Sequence, residues 1–474
     1  MTNTLRSLKK KHFFIAIFIA YQSCAPPRSL LYLEGNPGLK NKINDIIESS
    51  EIDLNMGIKI VSLRDNKTLY AYNSQKLLMP ASTNKLYTCA AALHYLGNDY
   101  TFKTSLLKNN NNLILKGGGD PDLKIDELDS LAKTVSKSVK IVDTLYVDDT
   151  FLDSLNYGEG WMWDEGPWWY AAPVSALSVN DNCIDFYIEP GKVGRSAKID
   201  HFPETSYITF ENNSITVDNT LDFNKIEIDR DWVSNKNNFT VTGEILNTTT
   251  KDTLFRNIYD PSLFTGTIFK ELLKKHGTQV KQLSAKPKDL SDYKEIANHK
   301  SDSLIVSAKN LMNSSDNLTA ELFVKSIGAL DSLPGTWKTG LDSVKSFLAG
   351  QVKIDTSQIR LADGSGVSRY TLTNSDQLIS LLTWIYNSKH KDDFISTLPG
   401  GGWLNSTLEK RLINEGGKVR AKTGGLSGVR NLAGYIESQK YGTVAFSILM
   451  NGYIGSSSKH RYVQNQIIKT IIYD

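Results

Sequence analysis

Cysteine is scarce in this chain and histidine is scattered: three cysteines and seven histidines occur in 474 residues. No Cys/His run has the spacing that holds zinc, so no metal is expected. No Gly-x-Ser-x-Gly elbow surrounds a candidate nucleophile, which leaves a Ser-His-Asp triad without support. Neither sign of charge is in excess, with 54 basic against 51 acidic residues. The charge balance therefore gives no sign of a nucleic-acid partner. No internal repeat stands out, and nothing calls for a cofactor.

Also missing is an apolar run that spans a membrane comfortably. Residues 13–20 are apolar but too short. They follow Arg6, Lys9, Lys10 and Lys11, with no acid among residues 1–23, and they precede Ser23-Cys24. This is the pattern of an export signal over residues 1–23. A small residue and then cysteine after such a run points to a bacterial lipoprotein, with Cys24 acylated and the lipid as its membrane contact. Tyr21 and Gln22 are not usual lipobox residues, so cleavage by the general signal peptidase to a soluble periplasmic protein is the alternative. Cys89 and Cys183 are expected as two buried free thiols; a disulfide is the alternative in an exported protein.

What the chain does contain is three short motifs in a fixed order: Ser82-Thr83-Asn84-Lys85, Ser315-Asp316-Asn317 and Lys422-Thr423-Gly424. Alone, each is weak. Ser-x-x-Lys occurs seven times, and Lys-Thr-Gly occurs again at Lys338. Context selects among them. Residues 57–63 and 68–72 read as paired strands around an Asp65-Asn66 turn. Pro80 then precedes Ser82 and an apolar run, the signature of a helix start. Ser82 in a first helical turn has a backbone N–H free to meet a developing oxyanion. Lys85, three residues on, reaches the same face. Lys422 sits on a strand that ends in a glycine-rich turn and is followed by two more strands. The Lys338 copy lies in an amphipathic helical pattern and is set aside.

Further stretches agree. Leu115-Lys116-Gly117-Gly118-Gly119-Asp120-Pro121, the Trp-rich segment from Gly160 to Leu177, and Asp363-Gly364-Ser365-Gly366-Val367-Ser368-Arg369 accompany the three motifs. With them the chain resembles the D-alanyl-D-alanine carboxypeptidases/endopeptidases of the low-molecular-mass class C penicillin-binding proteins. The resemblance covers nearly the whole mature chain. It implies an α/β (α+β) fold: a serine β-lactamase/DD-transpeptidase-like domain, its antiparallel sheet flanked by helices, with a large inserted region. The expected division is residues 24–97 and 290–474 for the catalytic domain. Residues 98–289, rich in Asn, Asp and Thr with short strand-like runs, form a β-rich insert of one or two subdomains.

The resemblance also implies roles. Ser82 is the nucleophile and Lys85 the neutral-amine base, its pKa lowered with help from the Lys422 charge. Ser315 relays a proton to the leaving nitrogen, and Asn317 holds the substrate amide and Lys85. Lys422 and Thr423 face the terminal carboxylate. The N–H groups of Ser82 and Gly425 hold the oxyanion, and the Gly424-Gly425 strand lets the substrate backbone approach. Trp161, Asp164, Trp169 and Leu426 are the candidates for a pocket that reads the peptide's diamino-acid side chain; core packing is the alternative for the tryptophans. The family often carries a hydroxyl residue where Gly425 stands, which leaves one carboxylate contact unaccounted for. Partners would be peptidoglycan stem peptides, with β-lactams as covalent inhibitors. The alternatives are a catalytically weak peptidoglycan-binding scaffold and a β-lactamase or esterase, though no motif for activating a deacylating water stands out.

Overall fold

The computed structural model describes residues 36–52, 55–219, 221, 223–286 and 290–474. Cys24 and the export segment lie outside the described residues.

One layer is a five-stranded antiparallel sheet in the order Val419–Leu426, Val429–Ser438, Gly442–Asn451, Asn55–Ser62, Lys67–Tyr72. It joins the two ends of the chain, because strand Asn55–Ser62 pairs with Gly442–Asn451. Alternation along the strands builds two cores. Val444, Phe446, Ile448 and Met450 point to one face, where Leu39, Ile43, Val463, Ile467 and Ile471 of the first and last described helices cover them. Ala445, Leu449, Ala433 and Tyr435 point to the other face, against helices Lys85–Tyr95, Leu304–Ser314, Asn317–Asp331, Trp337–Phe347 and Ser375–Tyr386. The functional motifs lie where this helical layer meets the edge strand Val419–Leu426.

A separate hydrophobic core is formed by residues between Leu106 and Val280, within the region expected to be an insert. Its main sheet runs in the order Gln279–Ala285, Ile141–Asp148, Asn112–Lys116, Lys103–Asn109, Lys294–Lys300, the first three parallel. Smaller sheets formed within residues 183–257 complete it. Two findings amend the sequence reading. Strand Lys294–Lys300 pairs with Lys103–Asn109 and so lies in the insert's sheet, beyond the boundary placed at residue 289. Helix Ile125–Ser136 was not anticipated in a region read as β-rich, although Leu128, Leu131, Ala132 and Val135 recur at helical spacing and are all buried.

The two chain crossings between these bodies are bonded to each other. Phe102 N–H donates to Ser301 Oγ at 2.9 Å, Ser301 N–H to Phe102 O at 2.9 Å, and Leu304 N–H to Tyr100 O at 2.8 Å. Cys89 and Cys183 are both free and buried. No helix among the described residues is long and apolar enough to cross a membrane.

Candidate active site

Ser82 stands in a single 3-10 turn, Ala81–Asn84, that runs directly into helix Lys85–Tyr95. The helix start was expected; its tighter first turn was not. Backbone clamps this turn from both sides. A Cβ on Gly366 (φ +83°) would lie 2.0 Å from Ala81 O, and one on Gly424 would lie 2.6 Å from Pro80 O. Both glycines are therefore required by close approach of main chain to main chain. Asn84 Nδ2 ties the turn to Asp363 O at 3.0 Å.

Lys85 is fully buried, with Nζ 3.0 Å from Ser82 Oγ, 2.6 Å from Asn317 Oδ1 and 2.9 Å from Ser365 O. Two of these partners can only accept. The third carries a proton it can give away. As an ammonium Lys85 donates to all three; in its neutral form two N–H bonds can stay with Asn317 and Ser365 while the lone pair faces the Ser82 hydroxyl. Asn317 is oriented by its other end, where Nδ2 donates to Tyr170 O at 2.7 Å.

Burial pushes the Lys85 amine down to about 8, against the opposing pull of Asp316, Glu321 and Asp363. Lys422 is also fully buried and lies well below the usual lysine range, from burial first and then from the charge of Lys85. Desolvation is the main cause at both amines, and each buried charge disfavours the charged form of the other. Lys422 Nζ donates to Thr423 O at 3.2 Å.

Two buried carboxyls shape the floor. Asp363 accepts from the backbone N–H groups of Gly366 (3.0 Å) and Ser368 (2.7 Å) and from Trp161 Nε1 (3.1 Å). Glu321 accepts from Trp337 Nε1 (2.7 Å), Gly364 N–H (2.8 Å) and Ser365 N–H (2.8 Å). Burial raises the Glu321 carboxyl to about 7. Together they fix the Ser365 carbonyl beneath Lys85.

Ser315 caps helix Leu304–Ser314 in the left-handed region (φ 67°). Asp316 caps the next helix by accepting from Leu318 N–H and Thr319 N–H. This motif is both a helix start and a cleft wall. The cleft, about 530 Å³, brings together Ser82, Ser315, Asn317, Thr423, Gly425 and Leu426. Trp169, Tyr170 and Glu165 from the inserted region complete the opposite side.

Comparison with known proteins is then decisive. Residues 39–471 match the profile of the D-Ala-D-Ala carboxypeptidase 3 (S13) family. The chain belongs to this family. It is 32% identical to a D-alanyl-D-alanine carboxypeptidase from an Actinomadura species, over 88% of this chain and 81% of that protein. Among solved structures, penicillin binding protein 4 (dacB) of Haemophilus influenzae superposes with a TM-score of 0.77 at 26% identity, covering 90% of this chain and 97% of that one. A second structure of that protein, complexed with a β-lactam, gives 0.74 at 25% identity, covering 91% of this chain and 99% of that one.

Two expected side-chain-pocket residues of this S13 chain lie elsewhere. Asp164 is exposed and outside the cleft, because the 3-10 turn Trp163–Glu165 presents it outward; Glu165 lines the cleft instead and accepts from Tyr170 Oη at 2.7 Å. Trp161 is turned towards Asp363 and lines a separate cavity of about 420 Å³ with Tyr157, Trp163 and Trp232. Trp169 and Leu426 do reach the cleft. The Lys338 copy of Lys-Thr-Gly sits on helix Trp337–Phe347, with Lys338 paired to Asp342 at 2.9 Å. Sequence reading missed Glu165 and Glu321. Glu321 stands four residues after Asn317 and so shares its helix face, but only the distant Gly364 and Ser365 N–H groups mark it out. Among the described residues no group of His, Cys, Asp and Glu side chains could hold a metal ion.

Proposed function

We propose that this chain is a serine-type D-alanyl-D-alanine carboxypeptidase/endopeptidase of peptidoglycan stem peptides and cross-links, working through an acyl-enzyme on Ser82. The observation that carries the reading is the buried amine of Lys85, 3.0 Å from Ser82 Oγ, with both its other bonds committed to carbonyl oxygens.

The neutral amine takes the Ser82 proton as Oγ bonds to the carbonyl carbon of the penultimate D-Ala. The N–H groups of Ser82 and Gly425 stabilise the oxyanion. Ser315 passes the proton from Lys85 to the leaving nitrogen as the C–N bond breaks. Asn317 keeps Lys85 and the substrate amide in register, while Lys422, Thr423 and the Gly424 backbone receive the end of the peptide. Water then attacks the ester, releasing the shortened peptide and restoring the Ser82 hydroxyl. A β-lactam acylates Ser82 by the same first step, in keeping with the β-lactam complex of the Haemophilus influenzae relative. Trp169, Leu426 and Glu165 line the side of the cleft suited to a diamino-acid side chain. The enzyme works outside the cytoplasm, exported by residues 1–23 and anchored by a lipid on Cys24. Its catalytic domain comes from both ends of the chain, with the intervening region as an insert.

The test is covalent labelling. The purified chain from Ala25 is incubated with a fluorescent penicillin beside Ser82→Ala and resolved on a denaturing gel. The expected result is a band in wild type that vanishes in the variant. Folded wild type with neither a band nor β-lactam turnover would sink the proposal, and rapid turnover without a band would point to a β-lactamase. Defined muropeptides then separate carboxypeptidase from endopeptidase action, and metabolic labelling with a fatty acid tests Cys24.

A further inference from the structure

Gly425 leaves a gap in the cleft wall, and Arg430 fills it. The two are directly opposed across the hairpin of strands Val419–Leu426 and Val429–Ser438. Opposed residues of an antiparallel pair project to the same face. A Cβ on Gly425 would stand 2.9 Å from Arg430 Nη1 and 3.2 Å from its Cζ, and both residues line the cleft. The guanidinium therefore occupies the room that a side chain at position 425 would need.

Its own bonding leaves it incompletely used. Nη2 donates to Ser457 Oγ at 2.9 Å, and Nε is buried without a partner. Among the described residues no carboxylate forms a salt bridge with Arg430, Arg411 or Arg461. The groups around it are cations instead. Arg461 Nη1 shares Ser457 Oγ at 2.8 Å, and Arg411 is buried nearby with Nη1 unpaired. Burial, with Arg430 and Arg461 beside it, lowers the Arg411 guanidinium to about 9. Arg430 thus brings to the cleft a guanidinium with unused donors, backed by Arg411 and Arg461 and held by no salt bridge among the described residues. A carboxylate or other anion is the complement such a fork accepts.

Resting on the functional reading above, we propose that Arg430 binds the free carboxylate next to the leaving nitrogen of the substrate, replacing the contact that a hydroxyl side chain at position 425 would make. The enzyme recognises that carboxylate from the neighbouring strand. A side chain at 425 and the arginine at 430 compete for one space.

The experiment compares kcat/KM for an acyl-D-Ala-D-Ala peptide with a free C-terminus and for its C-terminal carboxamide. Removing a charge-assisted contact predicts a loss of about 10- to 100-fold for Arg430→Ala on the carboxylate and less than about threefold on the carboxamide. Arg430→Lys should recover part of the loss, and so should the double variant Arg430→Ala/Gly425→Thr, which returns a hydroxyl to the vacated space. Should Arg430→Ala fail to fold, Arg430→Gln, which retains a donor for Ser457, decides on the same two substrates. Equal losses on both substrates, or no loss, overturn the assignment. Wild type that neither turns over a substrate nor is acylated by penicillin overturns the functional reading itself, and this assignment with it.

Discussion

The burial of Lys85 has a measurable kinetic consequence. If the neutral amine is the base, acylation tracks its deprotonated fraction. With the amine lowered to about 8 by desolvation, about one molecule in eleven is competent at pH 7 and about ten in eleven at pH 9. The second-order rate constant for acylation by a fluorescent penicillin should rise about tenfold over that interval, with unit slope below pH 8 and a plateau above it. Stopped-flow measurement between pH 6 and 10 at constant ionic strength reads this directly. An unburied lysine near 10.4 would keep the rate climbing through pH 10. A profile flat across the range, or one with its midpoint above 10, refutes the assignment of Lys85 as a buried neutral base. Stability carries the same signature. Between about pH 8 and 10.4 the unfolded chain binds a proton that the folded chain does not, so this group adds stability as pH rises through that window. Below it, the folded state bears the full penalty of about 3 kcal/mol. Lys85→Met should therefore be more stabilising, or less destabilising, at pH 7 than at pH 10, which urea titrations at the two pH values would show.

Asn317→Ala removes the 2.6 Å partner of Lys85 and the donor to Tyr170 O; penicillin acylation should fall about 10- to 100-fold, and an unchanged rate would contradict the role given to Asn317. Trp161→Phe keeps a ring but deletes the 3.1 Å bond to Asp363, so the urea midpoint should drop by the equivalent of about 1 kcal/mol. An unchanged midpoint would show that the Asp363 cluster does not depend on it. In the chain from Ala25, Cys89 and Cys183 should not react with Ellman's reagent until denaturant is added, since burial raises the Cys89 thiol to about 12 and holds that of Cys183 well above its usual value.

Parts of the candidate site are legible in the sequence because they are local. Ser82 and Lys85 meet through helical geometry alone, and the strand patterns around Lys422 follow from alternation. Legibility ended where partners come from distant chain segments. Glu321 looks like any acid on an amphipathic helix until Gly364 and Ser365 bring their N–H groups to it. Asp164 and Glu165 are indistinguishable in a string; one short turn decides which faces the cleft. Arg430 gains meaning only from strand register with Gly425. Strand Lys294–Lys300 is defined by a pairing across almost two hundred residues, and nothing in its own composition says which sheet it joins.

The paired crossings at Phe102 and Ser301 bear on how the protein could be assembled and rebuilt. Because the chain leaves and returns at one hydrogen-bonded point, the intervening body, once folded, presents roughly two hundred residues to the catalytic layer as a single tight turn and spares it the closure cost of a long flexible loop. The intervening body can change length or content without altering the spacing of the strands on either side of it. Shortening it would be limited by what it contributes to the cleft, namely Glu165, Trp169 and Tyr170, rather than by the geometry of the join.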